Sequence, residues 1–111
     1  MKTFVKVKLQ VEGVHCWEGC NIAEVMFLKH PHRHVFNITC CKEVSHDDRD
    51  IEIIMFKQLV ERSFISKYYN GRFCDFQSKS CEMLAQELVS EFGLAMCEVL
   101  EDNENGALVQ A

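Results

Sequence analysis

The chain has 111 residues, a formal net charge of −5, 48% hydrophobic and 26% charged residues, which suits a single domain of ordinary soluble composition. A domain of this length buries one modest core, on the order of 65% of its unfolded surface. The acidic balance argues against a general nucleic-acid binder, and no apolar run of roughly 18 residues is present to span a membrane.

The N-terminus, Met1 to Lys8, alternates polar and apolar residues and lacks the continuous apolar stretch of a signal peptide. The expected location is therefore the cytoplasm, with the seven cysteines reduced. Residues 3–12 read as a half-buried strand, with Val5, Val7, Leu9 and Val11 on one face and Lys6, Lys8 and Gln10 on the other. Gly13 opens an irregular stretch, 13–31. Residues 32–43 alternate again, with His34, Phe36, Ile38 and Cys40 sharing a face. Antiparallel pairing of these two strands is expected. The aspartates of Ser45-His46-Asp47-Asp48-Arg49-Asp50 suit a turn and a helix start.

Ile53, Phe56, Val60 and Phe64, with Leu59 beside them, predict a helix over 51–67, although the β-branched start of that segment also suits a strand. Residues 68–79 read as a polar loop. Ser80 can cap a second helix, 81–92, with Cys81, Leu84, Ala85, Leu88 and Phe92 inward and Gly93 as its stop. A strand over 95–101, an Asn105-Gly106 turn signal and a short strand over 107–110 complete the chain. The order β-β-α-α-β-β predicts an α+β domain: an antiparallel four-stranded sheet with two helices on one face.

His32 and His34 carry the clearest chemical signal. Two residues apart on a strand, they leave the same face about 7 Å apart along it, close enough for two nitrogens to share one metal ion. His15, at the end of the other alternating segment, can supply a third. Three neutral histidines with an open fourth position are the usual ligands of a catalytic zinc, and the set also suits nickel, copper or iron. His30 has the same parity, but Pro31 places it in the preceding loop. No C-x-x-C pair occurs; Cys16 and Cys20 form a loop pair able to hold metal or react, and Cys40, Cys74, Cys81 and Cys97 read as small buried hydrophobes.

The order of short motifs resembles the 6-pyruvoyl-tetrahydropterin synthase / 6-carboxytetrahydropterin synthase family. Val11-Glu12-Gly13-Val14-His15 is similar to that family's F-x-A-x-H. His32-Arg33-His34-Val35-Phe36-Asn37-Ile38 is similar to H-G-H-x-Y-x-V, and Glu52 to Lys57 to D-F-x-x-L-K. Ser80 to Ala85 looks like T-x-E-x-L-A, and Val99-Leu100-Glu101 followed by Gly106 to Val109 looks like the V-x-E-t hairpin. The resemblance spans nearly the whole chain. It implies the tunnelling fold, in which subunits form trimers and then hexamers, close a β-barrel and place the site at a subunit interface. It also implies Zn2+ on His15, His32 and His34, and Glu101 anchoring a pterin through two parallel hydrogen bonds. Ser80 and Glu82 would lie near the same pocket.

The departures concern proton transfer. The family places a catalytic cysteine about six residues before its H-x-H, where this chain has Met26. Its Asp-His pair before the second helix has no counterpart in Phe64 to Asp75. Cys20, if its loop folds back, or His46 beside Asp47, are the replacement bases. Three functions follow: a zinc-dependent lyase acting on a dihydroneopterin-triphosphate-like pterin, a relative doing other chemistry on a pterin- or purine-like ligand, or a non-catalytic zinc-stabilised oligomer.

Overall fold

The computed structural model describes residues 1–111. The chain forms β1 (Thr3–His15), a 3-10 segment (Ala23–Lys29), β2 (His32–Val44), α1 (Ile53–Tyr68), β3 (Cys74–Gln77), α2 (Cys81–Phe92), β4 (Met96–Glu101) and β5 (Asn105–Gln110). The fold is α+β, with one open mixed sheet in the order β3-β1-β2-β4-β5. The four expected strands are present and pair antiparallel in the order β1-β2-β4-β5. A fifth, β3, corrects the expectation of a purely antiparallel four-stranded sheet. It lies parallel to the end of β1, with Gly13 opposite Cys74 and His15 opposite Gln77. Within the expected polar loop, Cys74 and Phe76 point inward while Asp75 and Gln77 point out. Four residues of alternation inside a polar stretch give too short a pattern to stand out.

One face of the sheet carries Val7, Leu9, Val11, Phe36, Ile38, Cys40, Cys97 and Val99, and both helices pack on it. On α2, Cys81, Leu84, Ala85 and Leu88 are buried, Ser80 Oγ accepts the Met83 N–H, and Gly93 stops the helix in the left-handed region at φ 60. The buried stripe of α1 is narrower than expected: Phe56, Val60 and Phe64 are inside, whereas Ile53 and Leu59 are 53% and 56% exposed. The reason is position: α1 lies over β1 and β3 at one side of the sheet, with α2 alongside through Phe56–Phe92 and the Lys67–Glu87 and Lys67–Glu91 pairs, and Ile53 and Leu59 face away from both. Its cap is Glu52, which accepts the N–H groups of Ile54 and Met55; the nearby Asp50 instead closes its own loop on Ser45.

The second hairpin also turns earlier than the Asn-Gly pair suggests, over residues 102–104. Asp102 and Asn103 take the left-handed conformation, and Asn105 and Gly106 already pair with Glu101 and Leu100 inside β5. All seven cysteines are free thiols. No helix is long and apolar enough to cross a membrane.

Candidate metal centre

The buried stripes of β1 and β2 change character at one end of the sheet. Val7, Leu9 and Val11 lead through Gly13 to His15, and Ile38 and Phe36 lead back to His34 and His32. His15 stands directly opposite His32, and Gly13 opposite His34. The three imidazoles therefore converge, with ring centroids 4.6, 5.2 and 5.6 Å apart. Beneath them the fully buried Phe36 ring packs edge-on against His15 at 5.1 Å and His34 at 5.8 Å. Gly13 makes this floor possible, because a Cβ there would come within 2.4 Å of the Phe76 ring and 3.0 Å of Phe36.

Each ring has one nitrogen held by an acceptor. His15 Nδ1 donates to the Lys79 carbonyl at 2.9 Å, His32 Nδ1 to the His30 carbonyl at 2.9 Å, and His34 Nδ1 to Asp102 Oδ2 at 2.7 Å. A carbonyl or carboxylate can only accept, so the proton of each neutral imidazole sits on Nδ1 and the Nε2 lone pair is free. All three Nε2 atoms face one another. Metal-binding histidines are held in this way by carbonyl and carboxylate partners.

Glu101, the last residue of β4, enters the same cluster. Its Oε2 lies 2.8 Å from His15 Nε2 and its Oε1 3.6 Å from His34 Nε2. His15 Nε2 is buried without any hydrogen bond; the Glu101 contact is short but outside hydrogen-bonding alignment. Lone pairs facing a carboxylate at such distances repel one another unless a cation stands between them. One donor atom from each of His15, His32, His34 and Glu101 lies within 4.8 Å of the others, so the cluster could hold a metal ion. Three imidazoles and a carboxylate form a donor set suited to zinc and its neighbours.

A cavity of about 520 Å³ opens beside the cluster, and Ser80, Glu82 and Glu101 all line it. The Ser80 hydroxyl is already committed to capping α2. Cys20 is not part of the cavity wall: it is 2% exposed, and its thiol points to the carbonyls of Ile22 and Val25. The loop instead brings Cys16 and Trp17 to the cavity, anchored by Cys16 N–H to the Gln77 carbonyl and Trp17 N–H to the Leu28 carbonyl. His46 lies elsewhere, 3.5 Å from Asp50 in its own exposed loop. The Cys81 thiol, at the start of α2, is pushed up to about 12 by burial and by the nearby Glu101 carboxylate. A second depression of similar size, around Lys8, Asn37, Lys57 and Glu98, holds no comparable convergence of donors.

Three contributors were not anticipated from sequence. Asp102, in the turn after β4, accepts from His34 Nδ1 and from the Val35 N–H at 2.9 Å. These two bonds hold its carboxyl below the usual carboxylate range. His30, set aside as a ligand, acts through its carbonyl. Lys79 also acts through its carbonyl, while its ammonium is fixed by Tyr68 Oη at 2.6 Å and Glu87 Oε2 at 2.9 Å. The one available signal was the tandem Glu101-Asp102 at a strand end.

Asp102→Asn tests the orienting bond. An amide NH₂ rotated toward His34 Nδ1 would move the ring proton to Nε2 and remove that lone pair. Metal affinity should fall roughly 10–100-fold, measured by competition with a chromophoric chelator, while an unchanged affinity would show that Asp102 does not orient the ring. Because the Asp102 carboxyl is lowered in the folded protein, its pairing contributes fully above the ordinary carboxylate range and is lost as the pH falls through its lowered value.

No protein-family model matches the sequence, and no curated protein matches it.

Proposed function

We propose that the chain is a Zn2+-dependent lyase-like protein acting on a pterin related to dihydroneopterin triphosphate, with His15, His32 and His34 as zinc ligands and Glu101 as the anchor of the pterin. The observation that carries this reading is the convergence of three free Nε2 lone pairs beside a cavity of about 520 Å³. Pockets for small ligands are of this size. The bound ion would polarise a carbonyl or hydroxyl oxygen of the ligand and lower the cost of removing a neighbouring proton. Trp17 offers a flat face, and the Glu101 carboxylate suits a paired N–H edge. Cys16 replaces Cys20 as the thiol placed to move a proton in this cavity.

Assembly into a trimer or hexamer with a closed barrel is part of the same proposal. The outer edge of β5 has no strand partner, and β3 pairs with only the end of β1, leaving the rest of that edge open. Such edges invite strand pairing between copies, and head-to-tail pairing of β5 with β1 closes a ring. A cytoplasmic setting suits the free thiols.

Zinc-loaded protein titrated with a pterin should quench the pterin's fluorescence saturably, and turnover of dihydroneopterin triphosphate should require zinc and weaken in Cys16→Ala. Absence of both binding and turnover in protein that carries stoichiometric zinc would end the lyase reading. It would favour the second reading, a non-catalytic metal-stabilised oligomer, which one feature supports: Glu101 completes a four-donor set of the kind that closes structural sites.

A further inference from the structure

The Glu101 carboxylate faces two demands that it cannot meet together. It lies inside the donor cluster, with Oε2 2.8 Å from His15 Nε2 and Oε1 3.6 Å from His34 Nε2. It is also a wall of the adjoining cavity. We propose that Glu101 is a displaceable fourth ligand: at rest it closes the metal site, and a cavity ligand with adjacent N–H donors draws it off and opens that position. The proposal rests on the metal and pterin readings above and concerns how that site is gated.

The backbone on either side of Glu101 is held. Glu101 pairs with Phe36 across β2 and with Asn105 across β5. Asp102, the next residue, is fixed through both carboxylate oxygens to Val35 N–H and His34 Nδ1, and its own N–H donates to the Val35 carbonyl at 2.8 Å. Any movement of the carboxylate therefore comes from side-chain torsions, which change on a fast timescale. The side chain is 30% exposed, enough to rotate into the cavity.

Charge decides where it rests. The cavity offers no free cation: the ammonium of Lys79 is spent on Glu87 and Tyr68, and the other charged side chain facing the cavity is Glu82. The strongest partner for the carboxylate at rest is thus an ion held by the three imidazoles. A ligand presenting two parallel N–H groups, such as a 2-amino-4-oxopyrimidine edge, gives the carboxylate two charge-assisted hydrogen bonds in exchange. The same balance disfavours a ligand whose negative charge must lie next to Glu82.

The test uses the full chain loaded with cobalt(II), whose visible spectrum reports coordination, in wild type, Glu101→Gln and Glu101→Ala. Both variants should bind cobalt more weakly, roughly 10–100-fold by the usual effect of perturbing a metal site, and should show an altered cobalt spectrum with unchanged circular dichroism. Pterin added to wild type should shift its spectrum toward that of the variants; added to the variants, it should cause no comparable shift. A cobalt spectrum and affinity identical in wild type and Glu101→Gln would overturn the proposal. A wild-type spectrum unmoved while pterin fluorescence is quenched would also overturn it, making Glu101 a permanent ligand. Loss of quenching with the variant spectrum still altered would instead remove the pterin reading and leave Glu101 as a ligand, and failure of wild type to take up cobalt would remove the metal reading itself.

Discussion

Purified wild-type protein should carry about one zinc ion per chain, and His32→Ala/His34→Ala should carry none, because two of three neutral nitrogen ligands are then gone. Elemental analysis after incubation with zinc and gel filtration measures both. The effect should extend to stability. His15 Nε2 is buried without a hydrogen bond, and the lone pairs around it face a carboxylate, so removing the ion restores that repulsion. A ligand that binds only the folded state contributes about 4 kcal/mol at a thousandfold excess over its Kd. Chelation should thus lower Tm by roughly 15–30 °C, at about 4–8 °C per kcal/mol for a domain near this size. Protons compete for the same Nε2 atoms, so zinc should leave as the solution is acidified. The double variant should show almost no Tm change on chelation. If wild type takes up no zinc, the metal centre is refuted, and with it the lyase reading.

Gly106→Ala should be the most damaging single-methyl change in the chain. A Cβ at this position would lie 1.9 Å from the Val99 carbonyl oxygen and 2.7 Å from Leu100 Cα. Both are backbone atoms of β4, so no side chain can rotate away, and β5 must pull off its neighbour. Overpacking costs about 1–3 kcal/mol and occasionally more; a clash with backbone belongs at the upper end, near a 15 °C fall in Tm. The displaced strand leads directly into Glu101 and Asp102, so metal affinity should fall as well. Gly19→Ala is the control, since the nearest atom to its added Cβ is 3.9 Å away. Thermal melts in which the two variants match would show that the β4–β5 contact is looser than the structure describes.

Much of this architecture was legible in the chain. Period-two alternation placed Val7, Leu9 and Val11 on one side of the first strand and Phe36, Ile38 and Cys40 on one side of the second, and the two rows lie together on the core face of the sheet; that β1 runs on past Gly13 to His15 was not legible. Ser80 and Gly93 bracket α2 where capping chemistry requires. These features are local: the signal and the structure it specifies lie within one turn or one strand. The misreadings are local patterns overridden by position. Ile53 and Leu59 fit a helical stripe, but α1 lies over β1 and β3 at one side of the sheet and they face away from it. Cys74–Gln77 is too short to show its alternation, and its pairing with β1 depends on α1 returning the chain to that edge.

By itself the sequence determined four of the five strands and both α-helices, most of their apolar faces, and that His32 and His34 leave the same face of one strand. Only the tertiary structure decided what the three histidines are bonded to. His34 is held by Asp102, 68 residues away, and His15 by the carbonyl of Lys79, 64 residues away. It also decided that Glu101 stands among the ligands and that Cys16 rather than Cys20 reaches the cavity. Periodicity fixes the direction in which a side chain leaves its own strand or helix, but not which distant backbone will lie there. That depends on how the strands register and where the helices return, a property of the packed chain as a whole.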